Sequence, residues 1–451
     1  MDWLAPYLPL LGSVALAVVA VTILAQQRRS PQSAVAWVLF IILLPFVAVP
    51  LFLVLGFRKR DSRFADIAFA RNPAAGAPVN TLDGLLRRYG IPPATPGNAL
   101  ALHADGREAH EALMALVAGA ERRVDALVYL LADDAEGRAV VGALTEAARR
   151  GRAVRLVIDR LGSWGAPSGA LEALRAAGGQ VRFFSPFVRL PERGHMNLRN
   201  HRKMVIADDA RVWAGGRNFG LDYMGPDGGR WEDLSFDLSG PAAETYVSVF
   251  ESDWQATRGD PRPAPPHVAP VEGGEALAQL VPTGPDTGGD PLHDALVHAF
   301  HRAQRRIWVA TPYYLPTDPL RQALSVAARR GVDVRLLVPL RSDQRVADLA
   351  RGSFLRELDA DGGHILRYDD RMLHAKFGII DGIGYVGSAN LDVRSMLLNF
   401  ESALMCYDEG SAEALAERFR ALMARSVPGI ARTRWPRRVV ESLFRIGAPV
   451  L

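Results

Sequence analysis

The chain of 451 residues has a single cysteine, Cys406. One thiol excludes an intramolecular disulfide framework and any metal site built from several thiolates. A strong charge of one sign is also missing. Lys and Arg total 53 against 49 Asp and Glu, a formal net charge of +4 with a pI near 9.3. That slight excess gives no electrostatic footprint for nucleic acid, though it suits an anionic membrane surface. Metal-ligand spacing is absent as well. His103, His110, His293, His298 and His301 lie near acidic residues but at no spacing that a metal site uses, and are expected to be helix-surface histidines. No metal and no cofactor is expected. With 49% apolar and 23% charged residues the composition is that of a folded protein, and the length accommodates a membrane anchor plus two ordinary domains.

Charge is missing altogether from residues 7–25 and 34–57. Each run is long enough to cross a hydrocarbon core of about 30 Å at about 1.5 Å per residue, which predicts a two-helix transmembrane anchor over 1–60. Pro45 and Pro50 are expected to kink the second helix. A cleaved leader is a poor fit, since no basic segment precedes the first run and a second follows at once. Arg58, Lys59, Arg60 and Arg63 after the second run favour a cytoplasmic catalytic body, while Arg28 and Arg29 in the short loop oppose it. Residues 61–98, rich in Pro, Gly and Ala from 72 on, read as a linker. At the far end, 431–451 intersperses Arg432, Arg434, Arg437, Arg438 and Arg445 with Trp435, Val439, Val440, Leu443, Phe444 and Ile446. This basic amphipathic tail fits equally well lying on anionic lipid or packing against the body.

What the sequence does contain is one pattern twice. His201-Arg202-Lys203 is followed by Asp208 and Gly215-Gly216-Arg217-Asn218; His374-Ala375-Lys376 is followed by Asp381 and Gly387-Ser388-Ala389-Asn390. His, Lys and Asp are all displaced by the same 173 positions (201 to 374, 203 to 376, 208 to 381). The duplication extends upstream, where AARRGRAVRLVIDR at 147–160 parallels AARRGVDVRLLVPL at 327–340. Each copy reads strand, helix ending in Arg-Arg-Gly, strand, helix, strand, then a motif hairpin, with the glycine as helix C-cap. Apolar runs alternating with helical periods predict α/β architecture, two pseudo-symmetric domains of helix-covered β-sheet at 99–257 and 276–430, tethered by the Pro-rich 258–275.

Residues 203–207 and 376–380 read as buried strands, on which side chains two apart share a face. His201 and Lys203 therefore point one way, as do His374 and Lys376. If the copies pack about a pseudo-two-fold axis, two imidazoles and two ammonium groups converge. The set suits phosphoryl transfer without metal: one imidazole attacks phosphorus, the other passes protons, and the lysines with Asn218 and Asn390 hold the phosphate oxygens. Since the two histidines need opposite protonation states, a bell-shaped pH profile is expected. Asp233 and Glu401, which lie 32 and 27 residues beyond their own histidines, are the candidates to orient them. Asp208 and Asp381 complete the catalytic motif, more as turn or lysine partners than as groups touching substrate.

At these residues the chain resembles the phospholipase D superfamily, and within it the bacterial cardiolipin synthases. The likeness covers nearly the whole chain: the paired apolar runs, DRLGS at 159–163, NHRKMVIAD at 200–208, TPYYLP at 311–316, LHAKFGIID at 373–381, GSANLDVRS at 387–395 and LNFE at 398–401. It departs at Gly216, where the superfamily has serine, at the second hairpin, one residue shorter, and at Glu232, where arginine is expected. The resemblance implies a bacterial inner-membrane enzyme that joins two phosphatidylglycerols into cardiolipin and glycerol through a phosphatidyl-histidine on His201, with His374 as the acid. Hydrolysis, or transfer involving another head group, uses the same motif. A nuclease fits badly with the apolar runs, and an inactive lipid-binding scaffold fits badly with two intact motifs.

Overall fold

In the computed structural model, described for residues 8–26, 31–55, 64–184, 198–263, 267–430, 433 and 435–447, the two copies share one sheet. The first supplies β1 (Thr95–His103), β2 (Arg123–Val128), β3 (Ala153–Asp159), β4 (Gln180–Phe184), β5 (Met204–Ala207), β6 (Arg211–Gly215) and β7 (Ser235–Ser239). The second supplies β8 (Ala276–Thr283), β9 (Arg306–Ala310), β10 (Tyr314–Leu315), β11 (Asp333–Pro339), β12 (His364–Tyr368), β13 (Phe377–Ile380), β14 (Ile383–Gly387), β15 (Leu391–Asp392), β16 (Glu401–Cys406) and β17 (Ser426–Pro428). The order runs β4-β3-β2-β5-β6-β7-β1 and continues, across an antiparallel β1–β8 pair, as β8-β16-β14-β13-β9-β11-β12-β17. The second half repeats the first in mirror order, and β10 pairs separately with β15.

Both sheet faces are covered, so the strands are apolar on both sides. Met204 and Ile206 of β5 enter the central core with the helices Ala243–Ala256 and Glu409–Met423, while Val205 and Ala207 pack on the opposite face. Each half follows the expected order: β2, helix Ala135–Arg149, β3, helix Ser168–Ala176, β4, then hairpin; and β9, helix Asp318–Arg329, β11, helix Arg345–Ala360, β12, then hairpin. Gly151 and Gly331, with φ of +82° and +87°, close the Arg-Arg helices in the left-handed conformation that favours glycine.

The two motif hairpins differ as the spacing implies. Ala207 pairs with Arg211 around three residues, whereas Ile380 pairs with Ile383 around Asp381 and Gly382 alone. Asp208 and Asp381 enter these turns at φ +55° and +54°.

Two expectations need correction. Residues 64–98 are not simply a linker: Ile67 N donates to Asp286 O, the helix Thr81–Arg88 buries Leu82 and Leu86, and β1 begins at Thr95. The Pro and Gly content of this stretch masks its few apolar anchors. The second apolar run is not one helix. It divides into Pro31–Leu43 and Pro45–Leu55, because a residue before proline is driven out of the helical region and proline favours the first turn of a new helix. These pack beside Leu8–Gln26, whose side chains are described for 12–22, through Ala20, Trp37, Ile41, Ala48 and Phe52. Among the described residues no helix is long and apolar enough to cross a membrane. Arg28, Arg29, Arg58, Lys59, Arg60 and Arg63, on which orientation was argued, lie outside the described residues. Of the two surfaces open to the tail, the structure shows contact with the body: helix Trp435–Gly447 packs on helix Arg345–Ala360.

The halves are also locked by charge. Arg202, fully buried, reaches Asp253 of the first half at 3.0 Å and Asp286 of the second at 2.8 Å, and donates to the carbonyls of Thr283 and Glu401. Removing it leaves two buried carboxylates facing each other. Arg202→Met is expected to lower unfolding stability by about 3–5 kcal/mol, read as a fall in the denaturation midpoint; an unchanged midpoint contradicts this clamp.

Candidate active site

The segments before each hairpin form two short parallel bridges across the halves, Asn200 with Phe400 and Glu232 with Leu373. His201 N donates to Phe400 O at 2.9 Å, and His374 N to Glu232 O at 2.6 Å. This crossing brings each histidine to the acid of the other half. His201 Nδ1 lies 3.0 Å from Glu401 Oε2, and His374 Nδ1 lies 2.6 Å from Asp233 Oδ2. The candidate acids stand at the imidazoles, but the expected partnership within each copy is replaced by exchange between copies. Spacing along the chain carries no sign of this, since it depends on how the halves dock.

Lys203 Nζ donates to His201 O at 2.7 Å, and Lys376 Nζ lies 2.6 Å and 3.0 Å from Nδ1 and Nε2 of His374. Both lysines are buried. Burial is the chief cause that pushes Lys376 down to about 8 and Lys203 well below its ordinary value. Burial likewise lowers His201, and with Lys376 brings His374 down to about 4, against the opposing pull of the acids. Lys376 also acts on His201, and Lys203 on His374, so the two motifs share one electrostatic field. Burial opposes ionisation of Asp233 and Glu401. It is outweighed for Asp233 by Lys376 and His374, and for Glu401 by His201 and Lys203, which hold both carboxyls below the usual range. Each carboxylate thus engages the Nδ1 of an imidazole that burial keeps neutral, while Nε2 of His374 lies within reach of Lys376 Nζ.

The remaining predicted residues divide. Asp208 accepts from the backbone N–H groups of Glu121, Arg122 and Arg123, and Asp381 from those of Gln304, Arg305 and Arg306. Both pin their hairpin to the strand beside it, β2 or β9. Grouping them with the catalytic side chains is corrected accordingly: they position the motif from its far end. Asn218 Oδ1 accepts from Leu130 N at 3.3 Å, which commits that oxygen to the backbone. Asn390 is buried with its Oδ1 unpaired among the described residues and bonds Asp392. Glu232, at the position where arginine was expected, is committed to Arg418 and Tyr368. His103 lies on β1, buried between Glu108 and Asp237, and His110 and His293 are buried against Glu136 and Asp294 rather than standing on a helix surface. Among the described residues no group of three or more His, Cys, Asp or Glu is arranged to hold a metal.

Several site residues were missed. Tyr129 meets the His201 ring edge-on at 4.7 Å, and Tyr223 and Trp231 flank His374 at 5.2 Å and 5.4 Å. All three come from the first half. Arg217, buried, spans the carbonyls of His103, Ala104 and Asp233. The available signal was the difference between copies: Arg202 and Arg217 stand where the second motif has Ala375 and Ala389.

The same comparison explains Gly216. Ser388 Oγ donates to Glu401 Oε2 at 2.6 Å. At Gly216 a Cβ would sit 2.2 Å from Asp233 Oδ1, so the carboxylate fills the space a side chain needs. Gly216→Ala is expected to displace Asp233 from His374 and reduce turnover by about 10²-fold with thermal stability little changed; wild-type turnover contradicts this packing.

Comparisons with known proteins show the family and the fold. The family described as cardiolipin synthase, PLD-like domain, matches residues 113–254 and 296–423, and the phospholipase D-nuclease N-terminal family matches 14–56. A cardiolipin synthase of Geobacillus kaustophilus is 31% identical over 95% of this chain and 91% of its own. Cardiolipin synthase A of Pseudomonas aeruginosa is 32% identical over 94% and 90%. The crystal structure of a phosphatidylserine synthase from Haemophilus influenzae Rd KW20 shares the fold, with a TM-score of 0.64 at 12% identity over 82% of this chain and all of that one. The chain belongs to the cardiolipin synthase family of phospholipase D-like proteins.

Proposed function

We propose that this phosphatidyltransferase joins two molecules of phosphatidylglycerol into cardiolipin and releases glycerol. The observation that carries the reading is the pair of buried imidazoles, each backed by an ionised carboxylate from the opposite half and sharing two buried ammonium groups. In the proposed sequence, Nε2 of His201 attacks the phosphorus of the donor lipid. A P–N bond forms, the P–O bond to glycerol breaks, and protonated His374 gives its proton to the departing alkoxide. Neutral His374 then takes the proton of the acceptor's primary hydroxyl, whose oxygen attacks phosphorus and frees His201. Glu401 and Asp233 hold the Nδ1 protons and stabilise whichever imidazole carries positive charge.

His374 must be protonated to act as the acid, yet it rests neutral. The lipid phosphate supplies the change. Its negative charge favours imidazolium, and it draws the Lys376 ammonium away from the ring that this charge now depresses. The lysines supply the cationic stabilisation of the equatorial oxygens.

For location, we infer membrane anchorage by the N-terminal helices, with a cytoplasmic body. Their outward apolar side chains, among them Val18, Val19, Ile42, Leu43 and Phe46, support the first inference, and the basic cluster from Arg58 to Arg63 the second.

Three outcomes are expected. Detergent-purified protein given head-group-labelled phosphatidylglycerol in mixed micelles should release glycerol matched by cardiolipin; glycerol matched by phosphatidic acid makes it a hydrolase. His374→Ala should lose about 10²–10⁴-fold in rate and His201→Ala all measurable synthesis, while a chelator has no effect. Full activity in either variant contradicts a shared site. Lys376 keeps its charge below about 8 and loses it above, so kcat/KM should fall on the alkaline side with a midpoint there. A plateau to about pH 10 contradicts the role given to that ammonium.

A further inference from the structure

Helix Trp435–Gly447 is seated through a buried carboxylate, Glu441. At 3.6 residues per turn, Arg437, Glu441 and Arg445 share one face, and Trp435, Val439, Val440 and Phe444 fall outside it. Of this face only Glu441 is enclosed by protein, while the Arg437 and Arg445 side chains stay 62% and 36% exposed. Glu441 is 1% exposed; its carboxylate is 2.5 Å from Arg356 and 3.0 Å from Arg437, and it packs so closely on Gly352 that a Cβ there would meet its carboxyl at 2.7 Å. Arg445 lies 3.2 Å from Glu357, with its guanidinium 4.4 Å from the Phe354 ring. The apolar side faces away: Trp435 is 76% exposed, Val439 and Val440 40% each, and Phe444 36%. A carboxylate is thus desolvated while Trp435, Val439 and Val440, the groups whose burial usually seats an amphipathic helix, stay exposed.

We propose that the outward face of this helix lies in the head-group layer of an anionic phospholipid bilayer, with the buried Glu441–Arg356 pair fixing its rotation. A bilayer covers such a face without shape complementarity, and tryptophan with flanking arginine is the composition the interface favours. Arg438, exposed beside Trp435, is placed for anionic head groups. A second copy is a poorer occupant. A helix about 20 Å long and 10 Å wide offers about 200 Å², against the roughly 800 Å² per partner of a stable interface. The seat also leads back to the site. The supporting helix Arg345–Ala360 follows directly on Asp343, whose carboxylate accepts from Tyr313 Oη at 2.5 Å and acts on Lys376. A membrane contact here sets the catalytic body at a fixed height over the surface that holds its substrate.

The choice of lipid as partner rests on the phosphatidyl-transfer reading, but its test reads position and not turnover. The full chain carrying Val439→Cys, labelled with an environment-sensitive dye, is placed in vesicles of phosphatidylglycerol and phosphatidylcholine; Cys406 is fully buried and stays unlabelled. Emission should shift to the blue, be quenched by a nitroxide on the upper acyl chain and resist aqueous iodide. Quenching by iodide alone overturns the proposal, and so does protection from both quenchers, which means a protein covers the face. Phe444→Cys carries the same readout should the first variant fail to fold. A dye exposed to iodide in a protein that still makes cardiolipin rejects the helix contact and leaves the transfer reading standing.

Discussion

The site depends on one constraint: each motif imidazole receives its carboxylate from the other half of the molecule. His201 with Glu401 and His374 with Asp233 are products of the two crossed bridges, Asn200 with Phe400 and Glu232 with Leu373. Neither half alone can fix the tautomer or orientation of its own histidine. The shared sheet, the β1–β8 seam and the buried Arg202 clamp between Asp253 and Asp286 all serve that docking. Buried ion pairs contribute little net stability, but losing one partner is costly, so the clamp acts chiefly to specify a single arrangement of the halves.

Within this symmetry the two acids are held differently. Asp233 is short, and the room it needs is made by leaving position 216 without a side chain. Glu401 is longer and is steadied by the hydroxyl of Ser388. The aromatic walls are one-sided too, since Tyr129, Tyr223 and Trp231 all come from the first half. A pseudo-symmetric frame thereby gives two histidines different surroundings, which suits the separate roles proposed for them.

Much of this was legible in the sequence. The repeat at a constant displacement gave the pseudo-symmetry, the order of elements in each half and the one-residue difference between hairpins, because these follow from local periodicity and turn length. It also singled out Asp233 and Glu401 as acids. Their exchange was hidden, since it arises from docking. The turn position of Asp208 and Asp381 was legible in the motif, but the three backbone N–H groups that each of them binds beside the neighbouring strand were not. The region 64–98 was misread because Pro, Gly and Ala dominate its composition, although Leu82, Leu86 and Ile91 suffice to seat it. The tail was framed as lipid or protein, and its helix packs on the body with Trp435, Val439 and Val440 left exposed.

The exchange of acids is tested most directly by following the imidazole titrations of His201 and His374 by NMR in Glu401→Gln. Glu401 raises the pKa of His201 against burial, so its neutralisation should move the His201 titration lower and leave His374 the less affected of the two. A shift centred on His374 instead would return each acid to its own motif and contradict the crossed site.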